Sequence, residues 1–275
     1  MSTASPTIGA RVVAFVAPIA VVVFTLALWQ LYVTAAEVDP IVLPAPTDVA
    51  TALWTDRSLL VESLWQTTRV VLLGLALAVP FGVAIAALIH RSPIARRALE
   101  PLLVGSQAIP VPVLAPLAVI WLGFGLATQL AIVVVVAFFP VAISTRDALA
   151  NLSPETTLVL RNLGATGLQR LRFVELRGAL PGILTGLRLA VVFAVIGAVF
   201  ADATGSTATT AADPTSTGGL GRVVDDAIPQ LATDRAFAAI VLLIALSLLL
   251  FWSLGLLQRL TTRHRSGPRP LRRTP

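Results

Sequence analysis

The fold class this sequence predicts is all-α, a polytopic membrane protein of six transmembrane helices, and three observations predict it. Of 275 residues, 56% are hydrophobic and only 12% are charged, whereas soluble domains carry roughly 25% charged residues. Six apolar runs are long enough to be read as spans of a hydrocarbon core about 30 Å thick. The basic residues, all 20 of them arginine, fall overwhelmingly on one side when those runs are threaded through a bilayer.

Val12 to Val33 comprises 22 residues without a charge and follows Arg11. At 1.5 Å per residue it covers about 33 Å, too long for the apolar part of a signal peptide, so it reads as an uncleaved anchor. Val70 to Ile89 is the second span. The third, Leu102 to Leu122, contains Pro110, Pro112 and Pro116. Those prolines remove helix hydrogen bonds, which predicts a kinked or partly unwound span. Leu126 to Thr145 is the fourth, with Pro140 near its end. The fifth, Ala179 to Ala201, has Arg188 inside it, and Ala236 to Gln258 is the sixth. The predicted organisation is a single transmembrane domain over 1–275. A cytoplasmic loop occupies 146–178, and outer loops occupy 34–69 and 202–235. The first outer loop holds LPAPTDV and a short amphipathic stretch. The second opens with a flexible Gly, Ser, Thr and Ala-rich piece and closes with a segment expected to lie as a short helix on the membrane surface.

Orientation follows from charge. With the N-terminus inside, 16 of the 20 arginines are cytoplasmic and only Arg57, Arg69, Arg222 and Arg235 are outside. Ten of the 14 acidic residues are outside. A 16 to 4 split satisfies the positive-inside rule with both termini cytoplasmic. The isoelectric point near 11.4 therefore reports topology and not nucleic-acid binding.

Several chemistries are excluded. The chain has no Cys, so disulfides, thiolate catalysis and Cys-ligated metals are ruled out. His90 and His264 lie far apart, which argues against a His-based metal site. No Walker A glycine loop is present, so the chain does not hydrolyse ATP itself. The span middles hold none of the carboxylates or histidines that an ion-coupled carrier uses. No GxSxG-like serine context suggests an intramembrane protease, and Asp225-Asp226 reads as a solvated helix face. The chain is thus read as a transport subunit rather than an enzyme, driven by a motor on another chain.

The most polar stretch is Arg161 to Leu189. It carries five arginines (161, 170, 172, 177 and 188) and a glycine-centred turn, the makings of a docking loop. Arg188 is its anomaly. A charge at a span centre costs about 2.5–3.5 kcal/mol, and Arg188 lies about 10 Å beyond Pro181 along a helix. Snorkelling to the inner headgroups and lining a polar vestibule both remain open.

The segment NLGATGLQRLRFVELRGALPGILTGLRLA resembles the cytoplasmic signature loop of ABC importer permeases, the inner membrane components of binding-protein-dependent transport systems. That signature reads Glu-Ala-Ala, three residues, Gly, nine residues, Ile, any residue, Leu-Pro. Gly164 takes the glycine position, Val174 the Ile and Leu176 the Leu. Leu158, Val159 and Leu160 stand in place of Glu-Ala-Ala, and Arg177 in place of Pro. LPAPTDV, the Pro-rich AIPVPVLAPLAVIWLGFG, FFPVAISTRDAL and GGLGRVVDDA resemble elements of the nitrate/sulfonate/taurine branch, and Asp202 falls where that branch commonly has Glu.

The resemblance implies a type I ABC importer permease fold with a coupling helix, working by alternating access in the cell membrane. Gly164, Ala165 and Thr166 would form the tip of the ATPase-coupling loop, with Arg161, Arg170 and Arg172 adding contacts. Arg188, Pro110 and Pro112 are candidates for the translocation pathway. No cofactor is expected on this chain; ATP belongs to the partner. The implied partners are an ABC ATPase dimer, an extracytoplasmic substrate-binding protein and a second permease copy, a homodimer. The implied cargo is a small polar solute, either a sulfonate, nitrate or taurine-like anion or a pyrimidine precursor of thiamine. The alternative reading is a stand-alone secondary carrier or channel.

Overall fold

A computed structural model describes residues 8–106, 108–212 and 218–262. Among the described residues the chain is helical and contains no strand. The helices are α1 (Ile8–Ala35), α2 (Pro46–Thr55), α3 (Arg57–Arg91), α4 (Pro93–Ser106), α5 (Val111–Leu122) and α6 (Leu126–Ala150). They continue with α7 (Pro154–Asn162), α8 (Gly167–Arg170), a π-helical turn (Leu171–Glu175), α9 (Leu176–Ala212), α10 (Leu220–Ala227) and α11 (Thr233–Thr262). Five of these are long and apolar enough to cross a membrane. A sixth span results if α4 and α5, bent by 105° at their junction, count as one.

The break falls where the prolines are. Pro110 caps α5 in an extended conformation (φ −63°, ψ 130°) and Pro112 occupies its first turn. Neither supplies an amide hydrogen to a helix, and a residue preceding proline avoids the helical region.

The centre of the bundle is α3, α6 and α9. Small residues recur every four positions on α3 (Gly74, Ala78, Gly82, Ala86) and on α9 (Gly182, Gly186, Ala190, Ala194, Ala198). That period keeps them on one face. The four alanines from Ala190, Ala194 and Ala198 to Ala78 are completely buried against Val133, Ala137 and Val141 of α6. In a bilayer, where lipid is as apolar as leucine, such close backbone approach supplies the packing that holds helices together. The clearest case is Gly186, where a Cβ would lie 2.8 Å from the Pro140 carbonyl oxygen and 2.9 Å from the Val141 Cα. α1 is different. Val16, Ile19, Val21 and Phe24 are all more than half exposed, so this helix faces outward from the bundle.

Two segments differ from the sequence expectation. α3 begins at Arg57, 13 residues before the predicted span, because the amphipathic stretch 57–69 continues the helix without interruption. The segment expected on the membrane surface is instead buried. In α10, Leu220, Val223 and Ala227 are at most 4% exposed, packed between α3, α9 and α11. Within the Gly, Ser and Thr-rich piece, α9 runs on to Ala212, and 213–217 lies outside the described residues. The C-terminal arginines counted toward orientation, from 263 onward, also lie outside them.

Candidate functional site

The 154–175 loop is a helix, a tight reversal and a second short helix. α7 starts at Pro154, has Glu155 in its first turn and Arg161 in its last, charges that suit the helix dipole. It ends in a hydrogen-bond pair: the Gly164 amide donates to the Arg161 carbonyl at 3.1 Å, and the Ala165 amide donates to the Leu160 carbonyl at 3.0 Å. This is a Schellman closure, which requires a left-handed residue at the first position past the cap. Gly164 supplies it with φ 74°, a conformation cheap only for glycine.

Two residues later Thr166 starts α8. Its Oγ1 accepts from the Gln169 amide at 3.3 Å, while Gln169 Oε1 accepts from the Thr166 amide at 2.9 Å. This reciprocal capping box satisfies donors that a helix start would otherwise leave open. Gly164, Ala165 and Thr166 thus form the reversal itself.

The loop presents an apolar surface. Leu158 and Val159 are each 57% exposed, Leu163 76% and Leu168 66%. Arg161 and Arg172 are exposed beside them, Arg170 is half-buried, and the Arg172 guanidinium lies 5.7 Å from the Phe173 ring centre. The far side of the loop is tied to the bundle. Leu171 and Glu175 are buried, and Glu175 Oε2 lies 3.7 Å from His90 Nε2 at the end of α3. Gly167 packs so closely on Arg91 that a Cβ would come within 2.6 Å of its guanidinium. Val174 and Leu176 are half-buried at the junction with α9. The π-helical turn at Leu171–Glu175 admits one extra residue per turn, a local irregularity frequent at functional sites. Nearby, Arg146 bridges Glu100 at 3.1 Å and Asp147 at 2.6 Å.

The three pathway candidates are not gathered into one site. Pro110 and Pro112 stand at the α4–α5 break, beside a cavity of about 440 Å³ whose walls include Ile109, Val111, Phe139, Ser144 and Leu189. Arg188 turns the other way, toward α11. Its guanidinium lies 4.1 Å from the Phe251 ring centre and donates to Gln258 Oε1 at 3.3 Å.

A polar cluster that the sequence reading did not assemble lies at the far end of the bundle. Gln129 of α6 and Thr67 of α3 both reach Asp202 of α9, at 2.8 and 3.5 Å. The sequence marked Asp202 as a carboxylate at a span end, but nothing in it says which polar residues of other spans lie at the same depth.

Residues 78–263 match the family described as binding-protein-dependent transport system inner membrane component. The chain is similar to the taurine transport system permease protein TauC of Escherichia coli, 33% identical over 245 residues, covering 86% of this chain and 85% of that one. It is also similar to the formylaminopyrimidine transport permease protein ThiX of Halalkalibacterium halodurans, 35% identical over 161 residues, 58% of this chain and 64% of that one. Its fold is that of a chain from the inward-facing MetNI methionine ABC transporter, with TM-score 0.63 and 21% identity over 76% of this chain and 99% of that one. None of these likenesses supports a stand-alone carrier. The chain belongs to the inner membrane components of binding-protein-dependent transport systems, the permease subunits of ABC importers, which carry solute and are not enzymes.

Proposed function

We propose that the 154–175 loop is the ATPase-coupling element of this permease. The observation that carries it is a rigid reversal, Schellman closure at Gly164 followed by the Thr166 capping box, which holds Leu158, Val159, Leu163 and Leu168 out of the bundle. Exposed leucines at a fixed tip, flanked by Arg161 and Arg172, suit a groove with an apolar floor and an acidic rim. The Glu175–His90 pair and the close packing of Gly167 on Arg91 connect a push on the tip to α3, and the π-helical turn runs directly into α9. The partner is an ABC ATPase dimer, and closed two-fold symmetry makes a second copy of this chain the natural other half.

The same reading sets topology and cargo. Arg91 and Arg146 lie at the loop end, and Arg57, Arg222 and Arg235 at the opposite end, which supports a cytoplasmic loop end and an outer face at α2 and α10. A binding protein docks on that outer face, and both termini are cytoplasmic. The pathway passes the Pro110–Pro112 break and its adjoining cavity, and Arg188 serves as a brace between α9 and α11. The taurine and formylaminopyrimidine relatives support a small polar solute as cargo, a sulfonate-like anion or a pyrimidine precursor.

Capture of the ATPase by the detergent-solubilised permease tests this. Wild type should retain it and Gly164→Pro should lose it, because proline cannot take a positive φ. Retention of the ATPase by the proline variant would overturn the coupling assignment.

A further inference from the structure

At the end of the bundle far from the loop, a backbone turn is bonded to one carboxylate. Asp202 lies 26 residues along α9 from Leu176 (202 − 176), about 39 Å at 1.5 Å per residue. It is 4% exposed. One carboxylate oxygen accepts from Gln129 Nε2 of α6 at 2.8 Å and the other from Thr67 Oγ1 of α3 at 3.5 Å. The Gly221 amide also donates to the carboxylate. The same Thr67 oxygen accepts from the Leu220 amide at 2.8 Å. Three helices and the start of α10 therefore meet at one acidic group.

The turn that meets it has no room for a side chain. A Cβ on Gly219 would collide with the Asp202 carboxylate and come within 2.7 Å of Thr67 Oγ1. One on Gly221 would strike the Val199 carbonyl. Gly218, at φ 68°, turns the chain into the site. Beneath the turn is a cavity of about 160 Å³ with Gln66, Val70, Phe124, Gln129, Asp202 and Arg222 in its wall. A space of that size holds several waters, each needing about 10–15 Å³.

The rest of the bundle is held differently. α3, α6 and α9 interlock through buried alanines and glycines. Hydrogen bonds from backbone amides to a carboxylate are strong while dry, yet water can replace each of them. We propose that Asp202 is a positioning residue for transport. Its carboxylate latches the Gly218–Arg222 turn over the cavity as the closed gate at this end, and the latch opens when the bundle admits solute. The proposal rests on the transport role of the family and does not depend on which face of the membrane the turn occupies.

The natural absence of cysteine allows a clean test. The assembled transporter in nanodiscs, accessible from both faces, would carry one cysteine at a time. Val70→Cys reports on the cavity wall (4% exposed) and Val141→Cys on the helix core (0% exposed). Maleimide labelling of Val70→Cys is expected to accelerate about tenfold or more with Asp202→Ala, since local opening follows the free energy lost, while Val141→Cys stays unchanged. Thr67→Val, which keeps volume but removes both hydrogen bonds, should act in the same direction. Unchanged labelling at position 70 in both variants would mean that α10 packing alone holds the turn, and would overturn the proposal. Parallel acceleration at 70 and 141 would make Asp202 a residue of bundle stability only, and would overturn it equally.

Discussion

The Arg188 guanidinium carbon lies 4.1 Å from the centre of the Phe251 ring, and its Nη1 reaches Gln258 Oε1 at 3.3 Å. Gln258 in turn donates through Nε2 to Thr185 Oγ1 at 3.0 Å and to the Pro181 carbonyl at 3.2 Å. The charge inside the fifth span is therefore engaged by the sixth. Gly255 makes room for it, since a Cβ there would sit 3.3 Å from the guanidinium.

Arg188 and Phe251 should show coupling in a double-mutant cycle of Arg188→Leu and Phe251→Leu. Cation–π pairs contribute about 0.5–1 kcal/mol when exposed and about 2 kcal/mol when desolvated. The expected coupling is about 1 kcal/mol in thermal unfolding of the solubilised chain. Additive effects of the two substitutions would remove the stacking from the account of the α9–α11 contact.

Gly186 and Gly197 provide a matched pair on α9. Gly186→Ala inserts its methyl against backbone of α6, where overpacking costs about 1–3 kcal/mol, and should lower the thermal midpoint. Gly197→Ala meets its nearest neighbours at ordinary contact distances of 3.4–3.7 Å. It should be neutral or stabilising, by up to about 1 kcal/mol relative to glycine in a helix. Equal effects at both sites would show that close approach at Gly186 is not what limits the residue there.

Substitutions at Gly164 should follow backbone preference and not size, because no atom lies within 4 Å of a Cβ built there. Asn tolerates the left-handed region, Ala costs about 1–2 kcal/mol, and a β-branched residue costs more. ATPase capture should therefore fall in the order Gly, Asn, Ala, Val. A smooth decline with side-chain volume would refute this.

Thr166→Ser keeps the acceptor for the Gln169 amide and should leave hydrogen exchange of 166–170 unchanged. Thr166→Val removes it at a cost of about 1 kcal/mol and should speed exchange there several-fold. Identical protection in the two variants would show that the cap does not hold the tip.

The sequence by itself located the long apolar helices and the polar loop between α6 and α9. Long apolar runs without a charge read as membrane helices; five of the six predicted spans lie within single helices, and the third falls across the α4–α5 break. Pro110 and Pro112 had to break whatever helix contained them. Gly164 was legible as a turn because it acts through bonds within a few residues of itself; the cap at Thr166 is seen only in the structure. Tertiary structure alone decided what required two distant segments at one depth. The segment 218–227, polar enough to read as a surface helix, is buried because Thr67 and Asp202 satisfy the amides of its first turn. Arg188 faced two open readings in one dimension, and the placement of Phe251 and Gln258 gave it its partners. Local bonds and hydropathy are written along the chain; the pairing of polar groups across helices depends on rotation and depth, which only packing sets.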